Sequence, residues 1–133
     1  MFCLFFVVAM HGQATESYAI HTLNQVPIYP GCTGDNTQLK KCMNRAVQMH
    51  IVKNMNTGVL PQQKSDKPVK SFVLFNISET GKVINVRVNS KEAKLRDELI
   101  RVIKLLPDMT PGKLNDKSVV VKYTLPFTYK GRN

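Results

Sequence analysis

The apolar residues of this chain fall into runs of different period, and each period predicts an element. Phe2 to Met10 is unbroken, nine apolar residues in a row. Residues 15–36 hold no period and are punctuated by Pro27, Pro30, Gly31 and Gly34, which predicts a loop. Asp35 and Gln38 stand at capping-box spacing and open a helical pattern that runs to about Asn54. Leu39, Met43, Ala46, Val47, His50 and Ile51 share one face, with Lys40, Lys41, Gln48 and Lys53 largely off it. Residues 55–68 are polar, carry Gly58, Pro61 and Pro68, and read as a connection.

The period then drops to two. Val73, Phe75 and Ile77 alternate with Leu74 and Asn76 in a strand from Val69 to Ser78, apolar on both faces at its centre. Glu79-Thr80-Gly81-Lys82 makes a short turn, and Val83 to Asn89 returns as the partner strand, with Ile84, Val86 and Val88 on one face. Ser90 is placed to cap a second helix to about Leu106, on which Leu95, Leu99, Val102, Ile103 and Leu106 form a core-facing stripe. Pro107 stops it. A last strand, Val119 to Phe127, alternates Val119, Val121, Tyr123, Leu125 and Phe127 with Val120, Lys122, Thr124 and Pro126.

The order helix, strand, strand, helix, strand predicts an α+β fold. The hairpin runs up and down, the second helix returns the chain, and the last strand runs antiparallel to the first. Both helices then pack on one face of a three-stranded antiparallel sheet of order 2-1-3. The last strand lies on an edge, where Pro126 is tolerated.

Length and composition narrow this further. At 133 residues the chain has room for a single domain, and 43% hydrophobic residues can build a core. The nine-residue apolar run would span roughly 14 Å as a helix, against the ~30 Å hydrocarbon core of a bilayer. It matches the apolar core of a secretory signal, with Gly12 and Ala14 as small residues before a cleavage point. Residues 1–14 are thus expected to be a signal peptide and 15–133 one exported domain, the alternative being a buried N-terminal strand. Cys3 leaves with the signal. Cys32 and Cys42 are then an even pair in an oxidising compartment, expected as a disulfide rather than two free thiols. Their spacing argues against a CxxC redox centre, and no His stands at zinc-ligand spacing.

The sequence offers little catalytic chemistry. His11 lies in the signal, His21 in a loop and His50 on the apolar stripe of the first helix. It holds no GxSxG, no HExxH and no phosphate-binding glycine loop. The reading is therefore a protein that is not an enzyme and needs no cofactor or metal. A small hydrolase built on His21, His50 and a lysine is the weaker alternative. The 19 basic residues against 9 acidic give +10, but no Lys/Arg run exceeds two. The charge reads as a solvated surface that steers acidic partners, not as a nucleic-acid site.

Several motifs in order resemble one family. Leu106-Pro107-Asp108-Met109-Thr110-Pro111-Gly112-Lys113, then Lys117, then Val119-Val120-Val121 leading to Leu125-Pro126-Phe127, is similar to the C-terminal domain of TonB-type energy transducers. Glu79-Thr80-Gly81-Lys82-Val83 before Val86, Val88 and Ser90 resembles that family's first hairpin. Val26-Pro27-Ile28-Tyr29-Pro30-Gly31-Cys32, with Cys42 after Lys40-Lys41, resembles the version common in Bacteroidetes-type bacteria. The resemblance covers about residues 26–129. The family's usual Tyr-Pro after the first helix is here Leu60-Pro61, and its membrane anchor and Pro-rich linker have no counterpart in these residues.

The resemblance implies a periplasmic domain that binds the TonB box, an extended segment of outer-membrane TonB-dependent receptors importing siderophore-iron, cobalamin or glycans. It further implies contact with an inner-membrane motor complex. Binding is by strand addition to the edge of the closing strand, here Val119, Val120, Val121, Lys122, Tyr123, Thr124 and Leu125, whose unpaired main-chain groups would template the partner. The alternative is a stand-alone envelope scaffold whose edge pairs with a second copy.

Overall fold

A computed structural model describes residues 16–60 and 67–130. The expected signal peptide, residues 1–14, and Pro61 lie outside the described residues. The elements run β1 (Ser17–Ala19), α1 (Asn36–Asn54), β2 (Val69–Ile77), β3 (Val83–Asn89), α2 (Ala93–Ile103), β4 (Lys113–Leu114), β5 (Lys117–Ser118) and β6 (Val120–Tyr129).

Helix α1 begins where its cap requires. The Asp35 carboxylate accepts the Gln38 backbone N–H at 2.8 Å, and the Gln38 side chain accepts the Asp35 N–H at 2.9 Å. Two of the four orphan donors of a helix start are thus satisfied. Leu39, Met43, Val47 and Ile51 are its buried residues, with Ala46 and His50 half-buried beside them. Helix α2 starts later than Ser90 predicts. Ser90 Oγ instead accepts the Ser71 hydroxyl at 2.8 Å, and Glu92 occupies the cap position without a side-chain bond. Leu95, Leu99, Val102 and Ile103 are fully buried, as the stripe predicts.

The expected three-stranded antiparallel sheet is corrected: the sheet is mixed and four-stranded, in the order β1-β6-β2-β3. The long central strand β2 pairs antiparallel with β3 on one side and β6 on the other. Beyond β6 stands β1, parallel, with Ser17 opposite Val120, Tyr18 opposite Val121 and Ala19 opposite Lys122. Three residues carry no readable period, so this segment looks like loop in the sequence.

Strand β3 holds a second departure. Leu74 is opposite Arg87 but Asn76 is opposite Ile84, so Asn85 and Val86 together face Phe75. Asn85 takes φ 53°, the left-handed conformation that lets the extra residue bulge. The bulge changes the face of the residue before it. Val86 and Val88 pack on the core as predicted, but Ile84 turns away and is 41% exposed.

The core lies between this sheet and the two helices. Val73, Phe75 and Ile77 from β2 and Val121 from β6 are fully buried beneath Met43, Val47, Leu99 and Val102. The N-terminal loop is fixed to this body in three ways. Cys32 and Cys42 are bridged, with Cα atoms 5.9 Å apart, which ties the loop to the first turns of α1. Ile28 exchanges backbone hydrogen bonds with Thr110, each 3.0 Å. Lys113 donates to Gln25 at 2.8 Å and accepts from Asn24 and Gln25 at 3.1 Å. The Pro111-Gly112-Lys113 stretch thus serves as a backbone anchor, and Gly112 is buried where a Cβ would lie 2.7 Å from Val121 and 2.9 Å from Leu23.

Candidate functional site

The residues singled out for partner binding, Val119 to Leu125, sit on β6 and just before it. Val121, Tyr123 and Leu125 point into the core, while Lys122 and Thr124 are exposed on the opposite face. Their side chains hold the strand flat against the helices; its main chain is what a partner could read. One main-chain edge of β6 is fully used by β2, from Ile77 opposite Val121 to Val69 opposite Tyr129. The other edge is only partly covered. Here the expectation of an open edge is corrected: β1 occupies it over Val120–Lys122. From Tyr123 onward no described strand pairs with it. Pro126 follows without an N–H to offer, so an uninterrupted run of main-chain groups ends at Leu125.

The opposite margin of the sheet is β3, and its bulge at Asn85 breaks the regular spacing that an added strand would need. The two margins therefore differ in kind. One is blunted; the other already accepts a strand, in parallel register.

The cover itself is three residues long. From Leu23, which is buried, the chain is secured by the Asn24 and Gln25 bonds to Lys113. Upstream of that point the three β1 residues are only half-buried. Tyr18 and Ile20 pack at the rim of the core, and Thr22 donates its hydroxyl to the Ala19 carbonyl at 2.7 Å.

At the middle of this edge, Tyr123 crosses under the sheet to α1. Its hydroxyl donates to Asn44 Oδ1 and its ring lies 5.0 Å from that of Phe75. Burial pushes the phenol far above its ordinary range, so the ring is neutral at any physiological pH.

His50 has a structural position. Its Nε2 donates to the Val102 carbonyl of α2 at 2.8 Å, which makes Nδ1 the acceptor facing the Asn54 amide at 3.3 Å. It joins the two helices. His21 lines a different cleft, next to Lys40 and Lys122, so the two histidines do not converge. Reading the sequence as periods missed Glu98, which is buried on α2 and paired with Arg101. Arg101 reaches on to the Asn54 carbonyl at 3.1 Å, at the C-terminal end of α1, where a positive charge is favoured.

Residues 64–130 match the family model described as the Gram-negative bacterial TonB protein C-terminal. The chain belongs to the TonB C-terminal domain family. The match takes in β2 through β6, including the edge strand; α1 and the disulfide loop precede it. A search of curated proteins finds no match. Membership makes this a TonB-like envelope protein whose domain is a protein-interaction unit and not a catalytic one. The disulfide is consistent with export. No helix among the described residues is long and apolar enough to cross a membrane.

Proposed function

We propose that this TonB C-terminal domain works in the periplasm, capturing the TonB-box segment of an outer-membrane TonB-dependent receptor by strand addition on β6. The captured segment pairs with the outer edge from Val119 to Leu125. It takes the place of β1 over Val120–Lys122 and continues to the proline. The observation that carries this reading is β1 itself: three residues of no special character already stand on that edge in parallel register. Main-chain groups that accept one strand accept another, with affinity from the backbone and specificity from the side chains of the guest. Pulling along such a strand loads all its hydrogen bonds together, which suits a role in energy-coupled transport with an inner-membrane motor complex.

The test is a titration of TonB-box peptides into the isotopically labelled protein. Amide shifts should appear at Val119 to Leu125, with β1 losing its pairing in step. Shifts confined to β3 or the helices would sink this mode. If the edge instead pairs with a second copy, sedimentation will give a dimer and the peptide will dissociate it.

A further inference from the structure

Helix α1 has two faces of different kinds. Leu39, Met43, Val47 and Ile51 turn to the core. At about 3.6 residues per turn, Lys41, Arg45, Met49 and Val52 fall on the opposite face, spread over roughly 16 Å of helix. All four are exposed. The three most exposed large apolar side chains of the described residues meet on this side: Val52 at 66%, Met49 at 62% and Leu105 at 56%. Leu105 follows α2 and shares with Met49 the wall of a cleft of about 500 Å³, together with Tyr29, Ala46, Lys53 and Pro107. No carboxylate lines it.

The charge on this side has one sign. Helix α1 carries Lys40, Lys41, Arg45 and Lys53, and residues 36–60 hold no Asp or Glu. The ion pairs among the described residues are Arg96–Asp97 and Glu98–Arg101, so none of these four cations is held in one. Arg45 stands one turn before Met49, and Lys53 is next to Val52. Protruding apolar side chains are thus set among cations that lack counter-charges, a combination that marks an interaction site.

We infer that this face of α1, together with Leu105, docks on an anionic phospholipid membrane surface. Met49, Val52 and Leu105 enter the boundary between headgroups and acyl chains, and Lys41, Arg45 and Lys53 meet the phosphates. The shape favours a bilayer over an acidic protein. The apolar side chains stand out from a helix ridge, and a helix interior leaves no unpaired main chain for a partner to read. A fluid surface closes around such side chains without a matching shape. The β6 edge meets α1 on another flank, where Asn44 accepts from Tyr123, so the two surfaces are separate.

The chain holds no tryptophan, so Val52→Trp places a single reporter in this face. Its emission should shift to the blue on vesicles of phosphatidylcholine with phosphatidylglycerol, and not on phosphatidylcholine alone. Phe72→Trp, on the helix-free face of the sheet, should stay unshifted on both. Lys41→Gln with Arg45→Gln should weaken vesicle binding by about five-fold for each charge removed. Lys70→Gln with Arg87→Gln takes equal charge from the open face of the sheet and should weaken it by less than about two-fold. Met49→Ser with Leu105→Ser should weaken it by about ten-fold at unchanged charge. Circular dichroism checks that each variant is folded. Equal losses from the two charge pairs would reduce the attraction to net charge and overturn the docking face, as would an unshifted Val52→Trp. If poly-glutamate shifts the Val52→Trp emission and vesicles do not, the face serves an acidic protein and the membrane reading falls.

Discussion

Single residues set several of the constraints on this fold. Gly81 takes φ 85°, and a Cβ there would lie 1.7 Å from the Met109 carbonyl oxygen. Met109 donates its N–H to the Gly81 carbonyl at 2.8 Å, so the hairpin turn and the segment after α2 are joined backbone to backbone. Gly31 has φ 87° but open space around it. Gly81→Ala should therefore destabilise by about 3 kcal/mol or more, and Gly31→Ala by only about 1 kcal/mol, read from urea midpoints. Equal losses would refute the steric account. Tyr123 gives a pH prediction. Its folded pKa lies above the ordinary value of 10.0, so the folded state holds the proton more tightly than the unfolded chain does. Stability is then unaffected below about pH 10 and falls as pH rises beyond it. Tyr123→Phe should flatten that alkaline decline while losing about 1 kcal/mol at neutral pH with the Asn44 hydrogen bond. An unchanged alkaline limb would place its origin elsewhere.

At the scale of elements, the disulfide and β1 behave oppositely. The Cys32–Cys42 bridge closes a short loop onto a capped helix. Replacing both with serine should cost about 2.5–3 kcal/mol on the chain-entropy account, measured as a drop in Tm that reductant reproduces in the parent protein. Strand β1 is held only by its pairing with β6 and by Tyr18 and Ile20 at the rim of the core, upstream of the Asn24 and Gln25 bonds to Lys113. Removing residues through Ala19 should leave the fold cooperative, speed hydrogen exchange at the outer-edge amides of Val120–Lys122, and tighten TonB-box peptide binding. Weaker peptide binding after the deletion would show that β1 supports the site instead of occupying it.

For the whole molecule, a charge of +10 has a local expression. The basic residues are dispersed, and Lys40 and Lys122 stand on either side of the edge that takes a strand. A net positive domain meets an acidic peptide faster at low salt. Peptide association rates should therefore fall with ionic strength more steeply for acidic guests than for neutral ones, as stopped-flow mixing would show. A common slope would confine electrostatics to the bound state.

The sequence alone determined the elements with a sustained period. The capping box at Asp35, the stripes of α1 and α2, the β2–β3 hairpin and the alternation of β6 are local consequences of side-chain spacing, and so are legible without coordinates. The family motifs were legible for the same reason, since Gly81 and Gly112 mark places where backbone must approach closely. Only the tertiary structure decided the rest. Ser17–Ala19 becomes a strand because β6, far along the chain, offers it an edge; nothing in three residues encodes that. The bulge at Asn85 turns Ile84 away from the core because register is settled across two strands, not within one. Lys40 and Lys122 come to stand on either side of one edge only when α1 packs over the end of β6. Period is a property of a segment, whereas an edge, a register and a cleft are properties of segments brought together.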